Sequence, residues 1–315
     1  MKYKIGESKL NATLEHISCN VCGSDDYKIM FDMNPFKIVR CNNCSLIFVN
    51  PRLKENDIKK IYQNGYYSNN EFFSSKQEKL YGYHDYEEER FNVEKMYEKI
   101  LKKIDKFISK GNLLEIGSAY GFFLNLARKS GWDVSGIELS REAAEYCKTK
   151  FNISPFIGNF HQYHSKRAFF DAIVTFDVLE HMHNPFEALK SINNLLKKNG
   201  LLVCSVPNAG EWVINLLGDR WEDLKRAQSN EHLYFFSKKT IAKMLNNAGY
   251  EILYIKTIGR CFNLYHLSRR LQVYNKPFFS LAAKFVQLLK ISDLNFYINP
   301  GLKLIVYARK QKECK

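Results

Sequence analysis

The feature that most constrains this chain is a regular alternation of apolar strands and amphipathic helices that begins at Gly111. Seven strand patterns follow in order: NLLEIG, WDVSGIEL, ISPFIGN, FDAIVTFD, GLLVCSVPN, YEILYIKTIG and LKLIVYARK. Helical patterns such as SREAAEYCKTKF and SKKTIAKMLNNAG separate most of them. Strands that alternate with helices predict an α/β fold with a mainly parallel, doubly wound sheet.

Capping residues place the ends of two predicted helices. Ser140 is a suitable N-cap for SREAAEYCKTKF, because its hydroxyl can accept a hydrogen bond from an unpaired amide of the first turn. The segment NPFEALKSINNLLKKNG carries Pro185 near its start and Gly200 at its end. This arrangement predicts a helix that begins near Pro185 and ends just before Gly200.

Four of the eight cysteines form two C-x-x-C pairs, Cys19 with Cys22 and Cys41 with Cys44, and eighteen residues separate the pairs. This spacing is typical of a structural zinc site in which four thiolates complete a tetrahedral shell. A module this small has too little core to fold without such a staple. Two disulfides or a redox pair are the competing interpretations. We predict a zinc-ribbon module in residues 1–55, with short strands at IVRC and SLIFV.

Composition adds limits on partners and location. The net charge is 47 − 33 = +14, which favours anionic partners such as nucleic acid, a phosphorylated metabolite or an acidic membrane surface. The positive charges are spread along the chain, so charge alone does not identify the substrate. The chain has no signal-peptide pattern and no run of about 18 apolar residues, and its remaining cysteines are scattered. These features predict a cytoplasmic protein.

The rest of the chain completes a three-part organisation. Residues 56–110 are predicted as a helical linker or cap, because DYEEERFNVEKMYEKILKKIDKFI has helical spacing. The Tyr-rich stretch IYQNGYYSNNEFF precedes that helix, and its rings either close over a ligand or pack on the next domain. Residues 111–315 form the α/β domain, with a helical insertion at 261–298.

Candidate ligand-binding residues follow three of the predicted strands. The first strand ends in a glycine-containing turn, Glu115-Ile-Gly117-Ser118-Ala119-Tyr-Gly121. Glu138 closes the second strand, and Asn159-Phe160 follows the third. Ligands of doubly wound sheets bind beyond the carboxyl ends of the strands. The turn lacks the third glycine of the dinucleotide fingerprint, so an NAD site is disfavoured.

At these motifs the chain resembles class I S-adenosylmethionine-dependent methyltransferases, across residues 111–310. The resemblance implies a Rossmann-like sheet of seven strands with the last strand antiparallel, and S-adenosylmethionine as cofactor. The cofactor-binding residues that it implies are Glu115, Gly117, Ser118, Ala119 and Gly121 at the methionine end, Glu138 and Leu139 at the ribose, Asn159 and Phe160 at the adenine, and Asp177. Ala119 replaces a glycine of the family and fits the turn only if its φ is negative. Asn159 replaces the usual aspartate but keeps an acceptor oxygen.

Two histidine-bearing clusters lie near the expected mouth of the sheet: Asp177/Glu180/His181 and Glu231/His232. The second cluster lies in a segment that resembles the H-L-x-x-F-S segment of zinc-ribbon methyltransferases from sugar and cell-surface polysaccharide pathways. That resemblance implies His232 as the catalytic base, with Glu231 as its orienting partner and His181 lining the pocket. The alternative is that His232 caps or buttresses the helix that begins near Ser237.

These features predict methyl transfer from S-adenosylmethionine to a small acceptor, most simply a hydroxyl of a sugar or of a nucleotide- or lipid-linked saccharide. The related sugar C-methyltransferases carry a further C-terminal domain, which favours O-methylation here. An RNA methyltransferase with a zinc module for RNA is the second hypothesis, since +14 would help to bind phosphates. A non-catalytic zinc-ribbon interaction protein on a cofactor-binding scaffold is the third.

One amphipathic stripe lies inside the insertion at 261–298. It consists of Phe278, Leu281, Ala282, Phe285, Leu288 and Leu289, with Lys284, Gln287 and Lys290 on the opposite face. Ordinary packing or a dimer face would bury this stripe. Peripheral contact with an anionic membrane is the other interpretation.

Overall fold

The computed structural model describes residues 2–5, 8–11, 13–55, 57, 90–218, 221–225, 227, 231–271, 275–289, 291 and 294–311. The Tyr-rich stretch at 61–73, and with it most of the first half of the predicted linker, lies outside the described residues. Within the described segments, no helix has both the length and the hydropathy that crossing a bilayer requires.

The N-terminal region is built from short antiparallel strands. They are β1 (Lys2–Ile5), β2 (Ser8–Asn11), β3 (Leu14–Glu15), β4 (Tyr27–Met33), β5 (Phe36–Cys41), β6 (Ile47–Val49) and β7 (Arg52–Leu53). Strands β4, β5 and β6 pair in succession, while β3 pairs with β7. Strands β5 and β6 therefore confirm the two short strands predicted at IVRC and SLIFV.

The α/β region contains nine helices and ten strands among the described residues. Its first half contains α1 (Arg90–Phe107), β8 (Asn112–Ile116), α2 (Phe122–Lys129), β9 (Asp133–Glu138), α3 (Arg141–Phe151), β10 (Phe156–Ile157), β11 (Phe170–Phe176), α4 (Pro185–Leu195) and β12 (Leu196–Pro207). Its second half contains α5 (Glu211–Leu217), α6 (Glu222–Lys225), β13 (Tyr234–Phe235), α7 (Lys238–Asn247), β14 (Tyr250–Thr257), β15 (Arg260–Asn263), α8 (Leu264–Leu271), α9 (Lys276–Leu288), β16 (Asn295–Ile298) and β17 (Lys303–Lys310).

Seven of these strands form one sheet in the order β10-β9-β8-β11-β12-β17-β14. The last strand, β17, runs antiparallel to both of its neighbours, and the described pairs from β10 to β12 are parallel. The order reverses direction at β8, so the carboxyl ends of β8 and β11 border the crevice in which a doubly wound sheet binds ligands. The predicted fold class is confirmed.

Two predicted element boundaries are wrong. Helix α4 ends at Leu195, because Leu196 already pairs with Phe170 of β11, so Gly200 lies inside β12 rather than at the helix end. The third strand is only Phe156–Ile157, much shorter than the pattern ISPFIGN predicts. The N-cap prediction at Ser140 is confirmed, since its hydroxyl accepts from the Ala143 amide.

The small and large sheets share one hydrophobic core. Phe36, Phe48 and Leu53 from the N-terminal strands belong to the same buried cluster as Leu114 of β8 and Ile192 of α4. Helix α1 packs instead with α2 and α3 in a second cluster that covers the other face of the large sheet. The N-terminal module is therefore built into one face of the α/β region.

Along the chain, helices α8 and α9 lie between strands β15 and β16, and these two strands pair with each other. On α9, Phe278, Leu281, Phe285 and Leu288 are exposed, and Ala283 is buried. In the single chain, the apolar stripe predicted there is thus open to its surroundings rather than packed in the core.

Candidate functional site

The two cysteine pairs lie on two turns with the same backbone geometry. In each turn the amide after the second cysteine donates to the carbonyl of the first, Gly23 to Cys19 at 2.8 Å and Ser45 to Cys41 at 2.9 Å. Gly23 and Ser45 both adopt the left-handed conformation, with φ of 73° and 66°. These matching turns direct the cysteines of both pairs toward one point.

The four sulfur atoms form a compact group that suits a metal ion. Sγ of Cys19 lies 3.4 Å from Sγ of Cys44, and Sγ of Cys22 lies 3.5 Å from Sγ of Cys41. All four sulfurs lie within 4.8 Å of one another. Zinc–thiolate bonds of about 2.3 Å in a tetrahedron place sulfurs about 3.8 Å apart, so the cluster fits zinc. Disulfide bonds need sulfurs about 2.05 Å apart, so the described geometry is not that of disulfides.

The turn after β8 requires glycine at two positions. Gly117 and Gly121 have φ of 78° and 77°, which residues with a Cβ adopt only with strain. A Cβ on Gly117 would lie 2.5 Å from the Val178 side chain, and one on Gly121 would lie 2.1 Å from Sγ of Cys147. The turn is thus packed tightly against the loop after β11 on one side and against α3 on the other.

Ala119 does not have the negative φ on which its predicted fit to the turn depended. Its φ is +45°, in the left-handed region, whereas alanine was expected to fit this turn only with a negative φ. The strain has a visible counterpart, because in this conformation the Ala119 amide points to Glu138 and donates to Oε2 at 2.7 Å. A charge-assisted hydrogen bond of this kind offsets part of the cost of the alanine.

Glu138 lies at the carboxyl end of β9 and is almost fully buried. Its Oε2 accepts from the Ala119 amide and its Oε1 accepts from the Ser140 amide at 2.8 Å. Carboxylate oxygens held in place by backbone amides are suited to accept hydrogen bonds from a diol such as a ribose. The next residue, Leu139, is half exposed and offers an apolar surface beside that carboxylate.

Glu115 and Ser118 bring unpartnered polar atoms to the same place. Oε2 of Glu115 and Oγ of Ser118 are buried and have no hydrogen-bond partner among the described residues. Burial, and then the neighbouring charge of Glu138, raise the pKa of Glu115 well above its ordinary value. A neutral Glu115 carboxyl is a hydrogen-bond donor, so this end of the turn presents donors as well as acceptors.

Asn159 and Phe160 follow the short strand β10. Oδ1 of Asn159 accepts from the backbone amide of His161 at 3.0 Å, and the backbone amide of Asn159 donates to Oε1 of Gln162 at 3.0 Å. Together these bonds cap a short 3₁₀ helix at 160–162. One lone pair of the Asn159 oxygen therefore serves the cap, and the second is left for another donor.

Asp177 occupies the end of β11 in a left-handed conformation, with φ of 57°. Its carboxylate accepts from the Ser205 hydroxyl at 2.9 Å and forms an ion pair with Lys303. Burial alone would raise the pKa of Asp177, but Lys303, with Arg260 and Ser205, holds it below its ordinary value. Asp177 is therefore an ionised group already engaged by the protein.

The structure brings the two histidine clusters of the sequence together. The rings of His181 and His232 meet edge to face, with centroids 4.6 Å apart. The Nδ1 atom of His181 donates to the backbone carbonyl of Glu231 at 2.7 Å, which leaves Nε2 of His181 with the lone pair when the ring is neutral. His232 is nearly fully buried, so its ring sits inside the protein rather than on the surface.

Two carboxyl groups flank His232, and sequence reasoning gave neither of them a role there. Oδ1 of Asp223 lies 3.8 Å from Nδ1 of His232. A carboxylate oxygen of Glu180 lies within 4.8 Å of the histidine nitrogens, and neither Glu180 oxygen has a described hydrogen-bond partner. Burial, and then Asp177, raise the pKa of Glu180 well above its ordinary value. Glu231, the orienting partner suggested by sequence, has its described contact through its backbone carbonyl.

The structure also limits the alternative role of His232. Helix α7 is capped by Ser237, whose hydroxyl accepts from the Thr240 amide at 3.2 Å. His232 therefore does not cap this helix. Asp223 was missed because it lies on a short helix, nine residues before His232, and no sequence spacing marks that pair.

A family model described as "Methyltransferase domain" matches residues 86–255, which is more than half of the chain. An uncharacterised protein of Methanocaldococcus jannaschii is 25% identical over 211 residues, covering 55% of this chain and 82% of the relative.

Solved structures with a similar fold include a methyltransferase of Bacillus halodurans, at 18% identity and a TM-score of 0.49, with 68% of this chain and 100% of that chain covered. A SAM-dependent methyltransferase of Thermotoga maritima matches at 19% identity and a TM-score of 0.47, with 72% of this chain and 95% of that chain covered. The sheet order, the turn after β8 and the family match lead to one conclusion: the chain belongs to the methyltransferase domain family and is an S-adenosylmethionine-dependent class I methyltransferase.

Proposed function

We propose that this methyltransferase acts on a hydroxyl of a small acceptor, a sugar or a nucleotide- or lipid-linked saccharide. The observation that carries the proposal is the buried imidazole of His232 with Asp223 beside its Nδ1 atom. A hydroxyl must lose a proton as it attacks a methyl group, and a positioned base assists that step. The resemblance of the segment after β12 to sugar-pathway methyltransferases supports a saccharide.

S-adenosylmethionine supplies an activated methyl group when bound, so the protein mainly aligns the acceptor and excludes water. The residues proposed to hold it fit such a molecule. Glu138 presents a fixed carboxylate for the ribose, and the glycine positions of the turn let the backbone approach the ligand closely. Glu115 and Ser118 offer buried polar atoms without described partners.

Each catalytic residue has a distinct task in this proposal. At 3.8 Å, the Asp223 carboxylate lies too far from Nδ1 of His232 for a hydrogen bond, but its charge favours a proton on that nitrogen, which leaves Nε2 of His232 to take the acceptor's proton. The imidazolium that forms is stabilised by the Asp223 carboxylate. His181, fixed by the Glu231 carbonyl, lines the pocket beside His232. Structural zinc at the four cysteines is part of the same proposal.

The basic surface and the open face of α9 support an anionic or lipid-linked acceptor. A net charge of +14 attracts a nucleotide or pyrophosphate group. The exposed apolar stripe of α9 would suit peripheral contact with a lipid surface.

Cofactor binding is tested by calorimetric titration of the purified protein with S-adenosylhomocysteine. Glu138→Ala removes the acceptor of two backbone amides, and we expect binding to weaken by about a hundredfold or more. Asp133→Ala, at the other end of the same strand, is the matched control and should bind like the wild type. Equal affinity in both variants would remove Glu138 from the site.

Acceptor class is tested by transfer of a labelled methyl group to a panel of nucleotide sugars, lipid-linked saccharides and RNA. Label in a saccharide that depends on His232 supports the proposal. Label in RNA alone would replace it with the RNA hypothesis. A protein that binds the cofactor but labels no member of a broad panel would favour the interaction-module hypothesis.

A further inference from the structure

The small N-terminal sheet is completed by a strand from the acceptor side of the site. Strand β13 pairs antiparallel with β6, with Tyr234 opposite Phe48 and Phe235 opposite Ile47. His232 lies two residues before Tyr234. The segment that carries the proposed base thus forms an edge strand of the N-terminal sheet. We call the N-terminal strands β3–β7, with their four clustered cysteines, the cysteine-bearing module.

Leu233, the residue after His232, is held from both sides by backbone hydrogen bonds. Its carbonyl accepts from the Val49 amide of β6 at 2.9 Å, and its amide donates to the Glu180 carbonyl at 2.9 Å. One bond belongs to the cysteine-bearing module and the other to the loop after β11. Leu233 therefore fixes the backbone beside His232 between those two parts of the protein.

The side chain of Arg52 in β7 connects three parts of the protein: the cysteine-bearing module, the loop after β11 and strand β13. Its Nη1 donates to the His183 carbonyl at 2.7 Å and to the Tyr234 hydroxyl at 2.9 Å, while its Nε donates to Glu15 at 2.8 Å. The Tyr234 hydroxyl in turn donates to the His183 carbonyl at 2.9 Å. Arg52 is buried, so these bonds are shielded from water and from screening ions.

We propose that the cysteine-bearing module positions the acceptor side of the active site, with Arg52 as the positioning residue that anchors the segment carrying His232 through the Tyr234 hydroxyl and the His183 carbonyl. A module that served only its own folding would not need a buried cation directed at two segments far from it in sequence. This inference rests on the proposed function for the role of His232, but the geometry that it describes does not require the acceptor to be known.

The test is hydrogen–deuterium exchange on the full-length, zinc-loaded protein with S-adenosylhomocysteine bound. In Arg52→Met we expect peptides that span 231–237 to exchange at least about tenfold faster, because the charged hydrogen bond to the Tyr234 hydroxyl and the link to the His183 carbonyl are lost. Peptides from β8 and β11 should keep their protection, and the affinity for S-adenosylhomocysteine should stay unchanged. The imidazole NMR signals of His232 should shift, which a purely structural residue elsewhere would not cause.

Two further variants make the result specific. Arg52→Lys keeps the charge near Glu15 but loses the planar fork, so its exchange should fall between wild type and Arg52→Met. Arg40→Met is the matched control, since the Arg40 backbone pairs with Lys28 and Ile47 within the small sheet, and it should leave 231–237 and the His232 signals unchanged. Removal of zinc by a chelator should expose 231–237 as Arg52→Met does.

Unchanged exchange at 231–237 in Arg52→Met would overturn the inference. Loss of protection spread equally over β8 and β11 would also overturn it, because Arg52 would then support global stability alone. These outcomes are separate from the proposed function: if His232 proves dispensable for turnover, the base assignment fails while the exchange result still stands or falls by itself.

Discussion

The cofactor side and the acceptor side of the sheet are held together in different ways. Glu138 is fixed by the amides of Ala119 and Ser140, which are 19 and 2 residues away in sequence. On the acceptor side, Arg52 reaches the His183 carbonyl 131 residues away and the Tyr234 hydroxyl 182 residues away. The proposed ribose-binding carboxylate is therefore fixed within one contiguous stretch of chain, whereas the acceptor side depends on contacts between segments far apart in sequence.

Removing a cysteine ligand should have the largest effect, because it should disrupt the acceptor side while leaving the cofactor side able to bind its ligand. Cys41→Ser leaves three thiolates, and structural zinc sites contribute on the order of 10 kcal/mol of binding free energy to folding. We expect zinc, measured by elemental mass spectrometry, to fall from about one per chain to a small fraction. The fraction of Cys41→Ser that stays folded should still bind S-adenosylhomocysteine, because the residues proposed to hold the cofactor follow β8, β9 and β10 and are not zinc ligands. Cys261→Ser is the control, and loss of cofactor binding in Cys41→Ser would contradict the separation of the two sides.

Replacing the proposed base separates the two sides chemically. His232→Asn should lower turnover by about 10²–10⁴-fold, the usual contribution of a general base, in the acceptor assay. Calorimetric affinity for S-adenosylhomocysteine should not change. His161→Asn, an exposed histidine on the cofactor side, should retain activity. Wild-type turnover in His232→Asn would leave the residue a structural role only.

The pH dependence of stability tests the cofactor side through the buried carboxyl of Glu115. The folded state holds the proton of Glu115 more tightly than the unfolded chain does. At pH values above the ordinary pKa of 4.5, the folded state therefore binds more protons than the unfolded chain. The contribution of Glu115 to stability is present at low pH and is lost as the pH rises toward the folded pKa. Glu115→Gln should flatten this slope and raise the free energy of unfolding at pH 8, because no buried carboxyl then has to ionise.

Denaturant unfolding between pH 5 and pH 8 measures this difference. Glu98→Gln, on the exposed face of α1, supplies the control and should follow the wild-type curve. A parallel slope in wild type and Glu115→Gln would mean that Glu115 is already ionised, with a cation beside it.

The smallest expected effect lies at the strained alanine. Ala119→Gly relieves a positive φ of 45° but adds freedom to the unfolded chain, so we expect a net stabilisation below about 1 kcal/mol. The Glu138 contact uses the backbone amide and should survive. Thermal unfolding measures the change, and a marked destabilisation would show that the Cβ of Ala119 packs usefully.

Patterns that report a local requirement predicted the structure well. The seven strands followed from apolar runs, and the glycine-containing turn predicted after the first of them contains Gly117 and Gly121, both with positive φ. The cysteine spacing identified sulfurs that the structure brings together. The prediction for Ala119 was wrong, because the conformation of one residue in a turn depends on a partner, Glu138, that lies on the next strand.

The acceptor side was harder to predict because its contacts are long in sequence. The pairing of His181 with His232 follows from the loop after β11 meeting the strand after α6, and no periodicity encodes that meeting. Asp223 and Arg52 were missed for the same reason. Arg52 looks in sequence like an ordinary surface cation, and only the closure of β13 onto β6 buries it.

The pairing of β6 with β13 has a consequence for synthesis of the chain. Phe48 and its partner Tyr234 are 186 positions apart. During translation, the edge of β6 therefore stays unpaired until β13 has been synthesised. At typical elongation rates the delay is roughly 10–40 s. An unpaired edge with buried-type side chains such as Ile47 and Phe48 is a template for aggregation. Production of the protein should therefore depend on chaperones that cover this edge until its partner strand leaves the ribosome.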